Sequence, residues 1–142
     1  MSAGANAGYS GKPAWCKLGL TPNARVRVLD APGDYATLVG AEPGSIAPVG
    51  ARAGYDLAHV FAVSAAKLAA EVLALSKTLP ADGVIWVSWP KKASKVATDV
   101  TEDTVRAVAL PLGLVDVKVC AIDAVWSGLK LVWRRTERAK KA

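Results

Sequence analysis

The sequence predicts one α/β domain, a sheet of parallel central strands covered by helices and closed by an antiparallel hairpin at its C-terminal end. Three observations predict it. Between residues 25 and 122, apolar runs of strand length alternate with segments of helical period, the order that yields parallel strands with crossover helices. The last two apolar runs are separated by only Asp123 to Gly128, too short for a parallel crossover, so they pair as a hairpin. The chain has 142 residues, 52% hydrophobic and 21% charged, enough for one domain with its own core.

Each element has a local reason. Trp15 to Leu20 suits a single helical turn stopped at Gly19, and Thr21-Pro22-Asn23 is a turn. Arg25 to Asp30 alternates polar and apolar residues and breaks at Ala31-Pro32-Gly33, as a strand entering a loop does. Asp34 to Val39 suits a short helix. The Gly-, Pro- and Ala-rich stretch from Gly40 to Gly54 offers one strand candidate, Ser45 to Val49. Asp56 to Ala62 is an apolar run of strand length. Ser64 is a helix N-cap, and Leu68, Val72, Leu75 and Leu79 follow on one face until Pro80 and Gly83 end the unit. Val84 to Trp89 reads as a second buried strand. Thr101 caps a helix with Glu102 and Asp103 in its first turn and Val105, Val108 and Leu112 on its apolar face. Pro111 ends that helix at Leu110, and Gly113 is a C-terminal stop. Val115 to Ile122 and Leu129 to Arg134 form the hairpin. One contiguous core is expected to include Val28, Val60, Leu68, Leu75, Ile85, Val87, Val117 and Val119.

This divides the chain into a Gly-, Ala- and Ser-rich lead-in at 1–14, one α/β domain at 15–135 and a basic tail at 136–142. The net charge of +6 is largely local: Arg134, Arg135, Arg138, Lys140 and Lys141 stand near the C-terminus against a single acid, Glu137. The body is nearly balanced, so nucleic acid is not the favoured partner. Cys16 and Cys120 are far apart and in no metal-ligand spacing, which reads as two free thiols in a reducing compartment. With no secretory pattern and no apolar stretch near ~20 residues, a cytoplasmic location is expected and a membrane partner is not.

Two resemblances bear on function. Asp56 to Ala62, Pro80-Ala81-Asp82-Gly83 before Val84, and Leu112-Gly113-Leu114 before the hairpin resemble the closing half of the class I methyltransferase fold, implying a shortened Rossmann-like, methyltransferase-like sheet. A second resemblance covers nearly the whole chain. Tyr9-Ser10-Gly11, Lys17-Leu18-Gly19, Trp86 to Lys92, Thr98 to Asp103, Gly113 to Asp123 and Trp126 to Lys130 are similar to a bacterial domain-of-unknown-function family, number 3052. That likeness is strongest over Val84 to Trp133 and implies no established activity.

The methyltransferase resemblance implies a glycine-rich turn after the first strand for S-adenosylmethionine and an acid after the second strand for its ribose. Here the turn is Asp30-Ala31-Pro32-Gly33-Asp34-Tyr35-Ala36, with one glycine and a bulky tyrosine, and Ser45 to Val49 supplies no acid. Only 25 residues separate Asp30 from Asp56, too few for the two strands and helices of a full fold. The expectation is a scaffold that has lost its cofactor site, so no cofactor, no metal and no catalytic residue is assigned. The sole histidine, His59, lies mid-strand in an apolar run and suits a satisfied core position.

The candidate ligand site joins Asp30, Gly33 and Asp34 to the loop after Val84–Trp89. There Lys91, Lys92 and Lys95 supply cations, Ser94, Thr98 and Thr101 supply hydroxyls, and a helix N-terminus follows. Trp89 ends the strand beside these lysines, where an exposed indole would stack on a base or pack on a partner. Ligands of open α/β sheets bind outside the carboxyl ends of strands. The leading expectation is a non-catalytic binding or regulatory module for an anionic small molecule or a protein. The alternatives are a divergent S-adenosylmethionine-dependent methyltransferase and a nucleic-acid binder.

Overall fold

The computed structural model describes residues 12–141. Five strands form one sheet in the order β1-β2-β3-β5-β4. β1 (Val26–Leu29), β2 (Leu57–Phe61) and β3 (Val84–Pro90) are parallel, while β4 (Leu114–Ala121) and β5 (Trp126–Trp133) form the antiparallel hairpin, with β5 beside β3. This is the predicted class. The antiparallel hairpin at the C-terminal end is also the ending that the methyltransferase resemblance implies. The helices are α1 (Ala14–Leu18), α2 (Tyr35–Leu38), α3 (Ala65–Ser76), α4 (Glu102–Ala109) and α5 (Arg135–Lys141).

β2 is buried along its whole length because helices or loops cover both faces of the sheet there. Alternation then sorts its side chains. Ala58, Val60 and Ala62 face α3 and α4, together with Ile85, Val87 and Trp89 of β3, while Leu57, Phe61 and Trp86 face α1, α2 and the loop after them. The core is therefore two clusters, one per face, not the single cluster expected. Leu68, Val72 and Leu75 form the buried stripe of α3, as their spacing predicts. Full burial of each stabilises the fold by about 1.5–3 kcal/mol. On the opposite face the indole N–H of Trp86 donates to the Leu18 carbonyl at 3.1 Å, tying α1 to β3.

The caps follow the sequence. The Ser64 hydroxyl accepts from the Lys67 amide and the Asp99 carboxylate from the Ala65 amide at 2.7 Å, so α3 has two caps. Thr101 and Thr104 make a reciprocal capping box on α4.

Three expectations are corrected. Ser45 to Val49 is not a strand, because its backbone makes one bond to the sheet, the Val49 amide to the Val26 carbonyl, in place of a ladder. Val117 and Val119 are 54% and 56% exposed rather than core. They lie on an edge strand whose register shifts between Asp116 and Lys118, and such an irregularity turns an edge away from its neighbours. Val28 is only partly buried, packed against the second cluster. The lead-in at 1–14 lies outside the described residues except for its last three, of which Ala14 is buried. Residues 135–141 form α5, which has no buried side chain; the Lys141 ammonium sits 4.2 Å from the Trp133 ring centroid. Among the described residues, no helix is long and apolar enough to cross a membrane.

Candidate functional site

Because β1, β2 and β3 are parallel, their carboxyl ends open onto one edge of the sheet. The loop after β3 builds a cleft there of about 610 Å³, within the range of small-molecule sites. Trp89, Pro90, Val96 and Val100 give it an apolar lining. Lys91, Lys92, Lys95, Thr98, Thr101, Glu102 and Ser127 of β5 supply its polar groups.

The loop is held by its own polar groups. The Lys91 amide donates to the Val125 carbonyl at 2.7 Å and its ammonium to the Asp123 carbonyl at 2.9 Å, so this lysine pins the β4–β5 turn. The Ser94 hydroxyl donates to the Lys91 carbonyl and accepts from the Val96 amide. The Thr98 hydroxyl donates to the Val63 carbonyl at 2.8 Å and accepts from the Val100 amide, fastening the loop to the end of β2. Thr101 is occupied as the cap of α4. Glu102 and Asp103 pair with Arg106, which also reaches Asp116 at 3.0 Å. Each hydroxyl named for the candidate site therefore has a partner within the protein. Lys92 and Lys95 remain, exposed and with no side-chain partner among the described residues. Lys95 also has φ +61°, a left-handed conformation that glycine or asparagine takes more easily.

The carboxyl end of β1 is built differently. Asp30, not Gly33, holds the left-handed turn, with φ +60°. Its carboxylate pairs with Lys67 of α3 at 3.1 Å. A hydrogen bond from Glu71 and the Lys67 ammonium hold the Asp30 carboxyl below its ordinary range. Burial and the Asp30 charge push Glu71 up to about 7, and its Oε1 atom is buried without a partner. Asp34 caps α2 through the Thr37 amide and accepts from the Gly44 amide at 3.1 Å, which lowers its pKa. A Cβ at Gly33 would meet open space, so no packing there demands glycine.

Under this edge runs a buried chain of three side chains. The Tyr35 hydroxyl lies 2.8 Å from His59 Nδ1, and His59 Nε2 lies 2.7 Å from the Ser88 hydroxyl. Both ring nitrogens are satisfied, and burial lowers the His59 pKa to about 3. Burial also raises that of Tyr35. His59 and Ser88 have no exposed surface, so His59 is the satisfied core histidine that its apolar run suggests.

The structure therefore gathers Trp89, Lys91, Lys92, Lys95, Thr98 and Thr101 at one cleft. Ser94 belongs to the loop without lining it, and Asp30, Gly33 and Asp34 lie outside. Trp89 is 8% exposed, so its indole is a wall of the cleft and not the open stacking face expected. The fixed lining residues Val96, Val100 and Ser127 were missed, because only the fold brings the β5 start and the loop apolars together. Cys16 and Cys120 are free thiols, the latter half-buried with its pKa raised by burial. Among the described residues, no cluster of three or more His, Cys, Asp or Glu could hold a metal ion.

No protein-family model matches the chain, and no curated protein matches its sequence. Solved structures similar to it include the ribosomal protein L11 methylase from Lactobacillus delbrueckii subsp. bulgaricus, at 15% identity and a TM-score of 0.44, covering 70% of this chain and 50% of that one. Another is LepI in complex with SAM, at 10% identity and a TM-score of 0.48, covering 84% of this chain and 39% of that one. The chain thus spans half or less of the length of either.

The residues at the β1 end do not fit S-adenosylmethionine. The Asp30 carboxylate is committed to Lys67 and Glu71. The loop where a second strand would carry a ribose acid is irregular, and the one acid between residues 41 and 55 is Glu42.

Proposed function

We propose that this protein is a binding or regulatory module on a methyltransferase-like scaffold, and that its ligand is an anion held at the β3 cleft. The observation that carries this reading is the combination of an apolar-lined cleft with two unpartnered ammonium groups, Lys92 and Lys95. The polar groups of the β1 end, by contrast, are engaged within the protein. Membership of domain-of-unknown-function family 3052 and a cytoplasmic location belong to the same proposal and rest on the sequence motifs.

A second reading is favoured by the sheet order: a divergent S-adenosylmethionine-dependent methyltransferase. It needs a cofactor pocket bounded by Asp30, Gly33 and Asp56, but Asp30 follows the carboxyl end of β1 whereas Asp56 precedes the amino end of β2, paired with Arg25 at 3.0 Å. Nucleic-acid binding is less supported, since the buried Trp89 offers no stacking platform. Calorimetric titration of the protein with small carboxylates, sulfonates, phosphates and S-adenosylmethionine tests all three. A saturable anion whose affinity falls in the Lys92→Ala/Lys95→Asn variant supports the module. Saturable S-adenosylmethionine binding lost in Asp30→Ala puts the enzyme first.

A further inference from the structure

From the same cleft we infer the chemical class of the ligand: an apolar body bearing an anionic group, such as an aromatic carboxylate, and not a bare, strongly hydrated anion such as phosphate or pyrophosphate. This rests on the proposed binding function of the cleft. Trp89, Pro90, Val96 and Val100 line it, and an apolar wall gains nothing from a small, strongly hydrated anion but does gain from a hydrocarbon face.

The cations fix where the anionic end sits. Of the three lysines, Lys91 is turned to the Asp123 carbonyl. Lys92 and Lys95 have no side-chain partner among the described residues, and the Glu102 carboxylate on the rim is paired with Arg106. Asp99 is directed away, onto the Ala65 amide. Lys92 and Lys95 are therefore the ammonium groups able to close on the carboxylate of such a ligand at the cleft mouth. Lys95 stands at the cleft mouth with φ +61°, where glycine would sit with less strain but without the charge.

The test is chemical-shift mapping on the ¹⁵N-labelled protein with four probes: 1-naphthoate, the neutral 1-naphthalenemethanol, inorganic phosphate and pyrophosphate. Naphthoate should shift amides across residues 89–101 and bind at least about tenfold more tightly than the alcohol or phosphate, the difference one charge-assisted contact makes. Val96→Ser, at an exposed position, should weaken naphthoate and leave phosphate unchanged. Lys92→Ala/Lys95→Asn, both at exposed positions, should weaken naphthoate about tenfold. If pyrophosphate binds these amides more tightly than naphthoate, or the alcohol binds as well, the ligand class is wrong and the site stands. If naphthoate shifts other residues, or no anion shifts 89–101, the site itself is wrong.

Discussion

The carboxyl ends of β1 and β3 open onto the same edge of one sheet, yet they use their polar groups in opposite ways. At β1, Asp30 binds Lys67 and Glu71, while Asp34 caps α2 and holds Gly44. Its charges look inward and stabilise a short connection. At β3 the hydroxyls likewise face inward, but Lys92 and Lys95 are left over above an apolar-lined cleft. The difference shows that a motif's residue types do not settle its role. What matters is which of them the protein's own backbone leaves unengaged.

The two ends share one buried tie, Tyr35 after β1, His59 in β2 and Ser88 in β3, and acid gives the largest expected effect on both. His59 is neutral when folded, with a pKa of about 3, against 6.5 in an unfolded chain. The unfolded state binds the extra proton first, so stability is lost as pH falls from about 6.5 to 3, on the order of 5 kcal/mol from this group. With one histidine in the chain, the ring resonances report it directly. A ring that titrates near pH 6.5 in the folded protein breaks the tie.

Asp34→Ala should lower stability through the lost cap and leave anion affinity at the β3 cleft unchanged. Denaturant melts alongside a titration check both, and a matched loss of affinity would mean the two ends are coupled. Glu71→Gln should have a smaller effect with a distinctive sign. The raised pKa of Glu71 makes the wild type lose stability as pH rises from about 4.5 to 7, so the variant should gain on it across that window and hold the gain above. Solvent screening keeps this below about 1 kcal/mol. Equal pH profiles would contradict the raised pKa of Glu71.

The smallest effect is expected at the C-terminus. α5 buries no side chain, so truncation after Arg135 should leave the thermal midpoint nearly unchanged. A large drop would make residues 136–142 part of the domain.

Much of this was legible in the sequence where one local rule decides the outcome. Ser64, Thr101, Gly19 and Gly113 mark helix ends, and the stripe Leu68, Val72 and Leu75 fixes the α3 register. The short link between Val115–Ile122 and Leu129–Arg134 specifies the hairpin. What failed depended on neighbours distant in sequence. Val117 and Val119 have strand character, but the edge position and irregular register that expose them are set by pairing. Trp89 looks available beside lysines until the fold draws it into the same buried cluster as Val100. The loss of the Ser94, Thr98 and Thr101 hydroxyls to Lys91, Val63 and Thr104 is equally invisible before the loop is folded.

The contrast between the two ends is tested most directly by mapping amide shifts with S-adenosylmethionine and 1-naphthoate on one sample. Saturable naphthoate shifts confined to residues 89–101, with residues 30–44 unmoved by either compound, are the predicted result. Saturable shifts at residues 30–44 with S-adenosylmethionine, abolished by Asp30→Ala, would contradict it.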